Sequence, residues 1–141
     1  MLASGMPRAD NGLPYRLHTN CELGMMLRGE KPLAVFCDGY GFFPDAVVRY
    51  LRMFDRHVTT GRFVKREYVV PDLSRGPNLL GWHTLLYALP EEEWRIDAMI
   101  ALRLSEAWSN AQEREEGRLL GYAEWQCDAY MALRAELASG G

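Results

Sequence analysis

Acidic and histidine side chains lie close in sequence to an aromatic loop, and residues of these types can perform acid–base chemistry. The loop, GYGFFPD, follows an apolar run from Leu33 to Asp38 that is typical of a buried strand. A carboxylate at a strand end, beside a loop, is a common position for a binding or catalytic group. The candidate catalytic residues are Asp38, His57, Glu67 and Asp72, with His83 as a further histidine, and their pocket could be lined by Tyr40, Phe42 and Phe43.

The acidic candidates also have a purely structural interpretation. Asp38 could cap a turn through its side-chain oxygen. Glu67 could pair with a neighbouring arginine, because charged side chains are rarely buried without a partner. The sequence favours this interpretation and leaves open whether the protein is an enzyme.

The sequence contains none of the common motifs for catalysis or cofactor binding. G-x-S-x-G, H-E-x-x-H, the P-loop and G-x-G-x-x-G are all absent, and no motif identifies a family. Gly39-Tyr40-Gly41 follows a predicted strand as a phosphate loop would, but it lacks the third glycine. His18 and Cys21 form one pair with metal-ligand spacing, whereas structural zinc sites draw such pairs from two places in the chain. We therefore expect no cofactor and no metal.

Positive charge is concentrated in one segment of a chain whose net charge is −3. Residues 46–70 carry six cations and two anions, a net charge of +4, whereas residues 89–141 carry five bases and eleven acids, a net charge of −6. Such asymmetry bears on partners rather than on the fold. The cations are Arg49, Arg52 and Arg56 on one face of a predicted helix, and Arg62, Lys65 and Arg66 in a predicted strand.

Two interpretations of these cations remain open. They could bind the phosphates of a nucleic acid, with a nearby aromatic side chain stacking on the bases. The acidic character of the whole chain argues against this, because dedicated nucleic-acid domains are commonly basic. We expect instead that the cations pair with acidic residues of the C-terminal half, within the chain or across a dimer.

Hydrophobic periodicity and turn residues predict eight elements in the order α-β-α-β-β-α-α-α. Helices are expected over 20–28, from Pro44 to Val58, and over 90–108, 111–120 and 122–138; strands are expected over 33–38, 62–70 and 81–89. The last strand could also be helical. The predicted fold is α+β, with a small three-stranded, mixed sheet packed against helices and a helical C-terminal half. We expect one compact domain over 15–138, between flexible segments at 1–14 and 139–141.

Composition limits the class of protein further. A hydrophobic content of 48% and a charged content of 25% are typical of a globular domain. No apolar run approaches the roughly 20 residues of a transmembrane helix. The N-terminus has no apolar stretch of the kind a secretory signal needs, and three cysteines at no regular spacing suit a reducing compartment. We expect a cytoplasmic protein with no membrane partner.

The function most favoured by these observations is that of a small non-catalytic binding or regulatory protein acting through a protein–protein surface. Four Trp, seven Tyr and five Phe are more large aromatic residues than a small core needs, so a homodimer is a reasonable expectation. One alternative is a small enzyme or ligand-binding protein with a pocket near the GYGFF loop. The other is nucleic-acid binding through residues 49–66.

Overall fold

The computed structural model describes residues 12–72, 74 and 81–140. Within them the protein contains five helices and three strands in the predicted order, which confirms the α+β class. The helices are α1 (Glu22–Leu27), α2 (Asp45–Thr59), α3 (Trp94–Arg103), α4 (Asn110–Leu119) and α5 (Glu124–Gly140), and the strands are β1 (Leu33–Gly39), β2 (Val64–Val70) and β3 (Trp82–Ala88). The segment Trp82–Ala88 is therefore a strand and not the alternative helix.

The chain packs as two compact units. The first combines the chain up to Lys31 with the chain from Ala98 onwards, and the second is Pro32–Asp97. The single domain expected over 15–138 stays a prediction. Of the expected flexible segments, residues 1–11 and 141 lie outside the described residues, as do residues 73 and 75–80 between β2 and β3.

The sheet of the second unit has the strand order β1-β3-β2 and is antiparallel throughout, not mixed. Strands β1 and β2 are joined through helix α2 and run in the same direction, as in a parallel crossover. Strand β3 lies between them and pairs antiparallel with both, so the two parallel strands never become neighbours. This placement of β3 explains why the expectation of a mixed sheet was wrong.

A glycine allows β2 and β3 to approach closely where one ends and the other begins. A Cβ atom built on Gly81 would lie 2.0 Å from the carbonyl oxygen of Val70 and 2.5 Å from the amide nitrogen of Asp72. No side chain fits at that distance from backbone atoms. The position just before β3 therefore requires glycine, because only glycine permits close contact between backbones.

Helix α2 packs on one face of the sheet through aromatic side chains. Side chains alternate between the two faces of a strand, so Phe36 on β1 and Tyr87 on β3 share this face, here called face 1. Phe54 of α2 lies against both rings, with centroid distances of 5.3 Å and 4.8 Å, and Phe63 lies 5.7 Å from Phe54. Burial of these rings stabilises the unit, because each large aromatic side chain removes much apolar area from water. The opposite face, face 2, carries Cys37, Thr84 and Leu86.

Helices α4 and α5 form much of the first unit. Ser109 caps α4: its hydroxyl accepts from the Ala111 amide, and Gln112 bonds back to the Ser109 amide, a capping box. Leu119 on α4 and Cys127 on α5 are buried. Helix α1, by contrast, begins after Cys21 and has no side-chain cap.

Two helix ends differ from the prediction. Helix α3 ends at Arg103 instead of 108, and the Ser105 hydroxyl donates to the carbonyl oxygen of Leu102, which closes the turn. Ile96 and Met99 are fully buried, but Trp94 is more than half exposed. Helix α5 extends to Gly140, beyond the expected end at residue 138.

Candidate functional site

The aromatic loop and strand β3 bring titratable groups together on face 1 of the sheet. His83 on β3 lies diagonally across from Glu67 on β2, and its Nε2 atom is 2.6 Å from the Glu67 carboxylate. Because an ionised carboxylate can only accept, Nε2 carries the hydrogen of this bond. The rings of Tyr40 and Phe43 flank the imidazole at centroid distances of 5.3 Å and 5.8 Å.

A chain of polar contacts continues from Glu67 along the same face. The Lys65 ammonium lies 3.9 Å from Glu67 and 3.0 Å from Asp55 of helix α2. The buried Tyr87 hydroxyl donates to the same Asp55 carboxylate at 2.8 Å. Burial, followed by this hydrogen bond to Asp55, raises the pKa of Tyr87. The contacts link α2 to the central and edge strands, which is a structural role for Lys65 and Asp55.

The other candidate acid–base residues do not join this group. Asp38 is the cross-strand partner of His83, but its carboxylate accepts from the amide of the next residue, Gly39, at 2.7 Å. Asp72 accepts from the amide and hydroxyl of Ser74. His57 lies against Phe63, 5.4 Å between centroids, at the opposite end of the strands from Tyr40. Of the four candidates, only Glu67 therefore bonds to His83.

The structure separates the cations into paired and unpaired groups. Arg66 bonds to Glu93 at 3.1 Å and to Asp97 at 2.6 Å, both in the acidic segment that begins at residue 89. The expected pairing with acidic residues therefore occurs in the strand. On α2, by contrast, Arg49, Arg52 and Arg56 are exposed and have no acidic partner among the described residues.

One end of face 2 exposes apolar side chains across the sheet. Trp82 pairs with Val70 on one side and with Gly39 on the other, and Phe42 packs over Gly39. Phe42 is 78% exposed and Trp82 is 50% exposed. Cys37, the preceding face 2 residue of β1, is exposed too. We call these four side chains, Cys37, Phe42, Val70 and Trp82, the apolar end.

The two edges of the sheet differ in charge. Strand β2 carries three consecutive charged residues, Lys65 to Glu67, and charged side chains on an edge strand discourage pairing with another chain. Strand β1 is apolar up to Cys37 and carries only Asp38 as a charged residue. Among the described residues, the outer edge of β1 has one backbone hydrogen bond, from the Phe42 amide to the Gly39 carbonyl oxygen at 2.9 Å. The β1 edge thus lacks the protection that the β2 edge has.

The first unit contains a buried lysine that sequence reasoning missed. The Lys31 side chain is 2% exposed, and its ammonium donates to His18 Nδ1 at 2.8 Å and to the Leu120 carbonyl at 2.7 Å. The imidazole of His18 stacks on the Tyr122 ring at 3.8 Å. Burial lowers the pKa of Lys31 to about 8, and burial together with the lysine charge lowers the pKa of His18 to about 3. No local sequence signal indicated this cluster, because its members come from distant parts of the chain.

The first unit also contains a cavity of about 250 Å³. Its lining comes from the segment around Tyr15 and from helices α4 and α5, and includes Glu113, Glu116 and Cys127. These residues show no motif in sequence, so the cavity could not be predicted. In the described parts of the chain no group of three or more His, Cys, Asp or Glu side chains could hold a metal ion.

None of the described helices combines the length and the apolar character needed to cross a membrane. The chain matches no protein-family model, and no curated protein or solved structure is significantly similar to it. Functional inference therefore depends on the residues themselves.

Proposed function

We propose that this protein is a non-catalytic binding protein that acts through a protein–protein surface. The surface is the apolar end together with the adjoining edge of β1. The observation that carries this proposal is the exposure of Phe42 and Trp82 on face 2, next to an edge strand whose outward backbone groups at Val35 and Cys37 have no backbone partner among the described residues. Exposed contiguous apolar side chains and open strand edges are both features of protein interaction sites.

The occupant we propose is a second copy of the chain. Twofold dimers are the commonest closed assemblies, and a strand can pair antiparallel with its own copy around the twofold axis. Leu33 and Ala34 are buried, whereas Cys37 is exposed, so the accessible part of β1 is its second half. Pairing of the strand around Cys37 places this residue opposite Cys37 of the second copy.

This register gives a direct test. Residues opposite each other in an antiparallel pair have Cα atoms about 4.5–5.5 Å apart, which lies within the range that a disulfide bridges, about 4.4–6.8 Å. We expect mild oxidation to convert the purified protein into a covalent dimer through Cys37. The Cys37→Ser variant, which keeps Cys21 and Cys127, should give none. Equal cross-linking in that variant would contradict the proposed register.

Matched lysine variants test the surface without oxidation. Cys37→Lys places a charge on the proposed interface, and Tyr68→Lys places the same charge on the same row and face of the sheet but at the β2 edge. We expect light scattering after size exclusion to show a dimer for the native chain and for Tyr68→Lys, and a monomer for Cys37→Lys. A native chain that is monomeric at every concentration tested would overturn the proposed occupant.

A second candidate function, nucleic-acid binding, rests on helix α2. Arg49, Arg52 and Arg56 form one exposed stripe and have no acidic partner in the described chain, unlike Arg66. Binding of single-stranded nucleic acid by this stripe should weaken steeply with salt, because phosphate contacts release counterions. The double variant Arg49→Gln/Arg52→Gln should weaken it more than Arg28→Gln/Arg134→Gln, which removes the same charge elsewhere. Absence of binding at low salt rejects this candidate.

We also propose a cytoplasmic location. Cys21, Cys37 and Cys127 are all free thiols, and free thiols persist in reducing compartments. Fractionation of cells that express the native chain tests this directly.

A further inference from the structure

We propose that the cavity in the first unit binds a small organic cation, an amine or quaternary ammonium with a short apolar body. This ligand site uses none of the residues of the proposed protein–protein surface, so the two proposals are tested independently. Its walls come from the segment that contains Tyr15 and from helices α4 and α5. Three properties of the cavity favour such a ligand: its aromatic walls, its carboxylates and its size.

Three tyrosine rings line the cavity. Tyr15 and Tyr122 lie 5.9 Å apart with their planes inclined by 59°, so they present two differently oriented walls, and Tyr130 lines the cavity from α5. The faces of aromatic rings carry negative potential and attract cations within about 6 Å. The Arg134 guanidinium already lies 6.0 Å from the centroid of Tyr130. Aromatic walls of this kind suit the weakly hydrated surface of an organic ammonium.

Two carboxylates of α4 line the same cavity. Glu113 accepts from the Tyr130 hydroxyl at 3.2 Å and lies 3.6 Å from the Arg134 guanidinium, and Glu116 bonds to Arg103 at 3.2 Å. Burial raises the pKa of Glu116, although Arg103 acts in the opposite direction. When the charge of a buried, ionised carboxylate is only partly balanced by its partners, a further positive charge nearby stabilises the ionised form.

The cation that also lines the cavity is already neutralised. The Arg114 guanidinium lies 2.6 Å from Asp128 and 3.5 Å from Glu124. It therefore does not supply the charge that an anionic ligand would need. The Cys127 thiol does not favour a reactive site either, because burial raises its pKa and a protonated thiol is a poor nucleophile.

The size of the cavity limits the ligand to a small molecule. A volume of about 250 Å³ lies just below the range of about 300–1,000 Å³ that holds drug-sized ligands. Gly117 also lines the cavity and lets α4 lie close to α5, because a Cβ atom there would lie 3.0 Å from the Cys127 sulfur.

Choline and 3,3-dimethyl-1-butanol are suitable probes, because they have the same shape and differ only in charge. Met131 lines the cavity, whereas Met53 lies on α2 in the other unit. Titration of the full chain, labelled at the methionine methyl groups, should shift the Met131 signal with choline and leave Met53 unchanged. Equal shifts of Met131 with the neutral alcohol would overturn the proposed charge selectivity, and no shift with either probe would overturn the site.

Matched variants on α4 identify the charge that matters. Glu116→Gln keeps a hydrogen-bonding side chain beside Arg103 but removes the charge, and should weaken choline binding by about tenfold, because the quaternary ammonium loses a nearby negative charge. Glu115→Gln removes an equal charge from the same helix at a residue that does not line the cavity. Equal weakening in both variants would show a general effect of net charge and refute the role of Glu116.

Discussion

Replacement of Lys31 by methionine should remove a pH dependence from the stability of this protein. The Lys31 ammonium is buried against His18 Nδ1 and the Leu120 carbonyl oxygen, and burial lowers its pKa to about 8 while the charge of Glu22 acts in the opposite direction. In the unfolded chain its pKa returns to about 10.4. Between these two values the unfolded chain holds a proton that the folded chain has lost.

The sign of the effect follows from this difference. Stability rises with pH wherever the unfolded state binds more protons, so the native protein should gain stability from about pH 8 upwards. At about 1.36 kcal/mol for each unit of pKa difference, the full gain is about 3 kcal/mol. Most of it should be reached by about pH 10. Below the folded pKa the lysine is charged in both states and its contribution no longer changes with pH.

Urea unfolding of the native chain and of Lys31→Met near pH 7 and pH 10 measures this effect, since tyrosines and thiols common to both proteins cancel in the comparison. The free energy of unfolding of the native chain should rise by about 2–3 kcal/mol relative to the variant. The comparison at pH 7 alone is less informative, because methionine leaves His18 and the Leu120 carbonyl oxygen without a donor, at about 1–3 kcal/mol each.

A control variant, Arg28→Met, removes an exposed cation of the same unit that does not titrate in this range. It should keep the pH dependence of the native chain. If the curves of the native chain and of Lys31→Met run parallel instead, the lysine is not buried and the reasoning fails.

Three further changes test other parts of the fold. The pKa of His18 is lowered to about 3 in the folded protein, so its neutral form should contribute stability that is lost as the pH falls from about 6.5. In thermal unfolding, the His18→Phe variant should lose less stability than the native chain over this pH range. Gly81→Ala should lower the free energy of unfolding by at least about 1–3 kcal/mol, because the new Cβ atom would collide with backbone atoms. As a control, a Cβ atom at Gly140 would have no atom within 4 Å, so Gly140→Ala should change the urea midpoint little. Tyr87→Phe removes the bond to Asp55 and should cost about 1 kcal/mol in chemical denaturation; an unchanged midpoint would contradict that role.

The pairing of Arg66 with Glu93 and Asp97 explains why a strand in an acidic protein carries cations. Two of the six cations, Lys65 and Arg66, thus have an internal structural role. The arginines on α2 lack such partners in the described chain, so an external anion remains a proposal for them alone. The division between the two groups depends on the packing of the strand beside the acidic residues, which charge counts along the chain do not show.

The sequence by itself determined the order and type of the elements. The apolar spacing from Val47 to Val58 indicated α2, and the β-favouring run after Gly81 indicated β3, because both signals arise from neighbours within a few residues. Pro90 and the acids after it marked the start of the region that leads into α3, although a 3₁₀ turn precedes the helix.

Only the tertiary structure decided which distant residues meet. It placed β3 between β1 and β2, separated His57 from the His83–Glu67 pair, and buried Lys31 against His18 and Leu120, 13 and 89 residues away along the chain. Local propensity depends on a residue and its near neighbours, whereas these contacts depend on which faces pack and which strands pair. The candidate surfaces and the cavity are of this second kind, so they could not be assembled from the sequence.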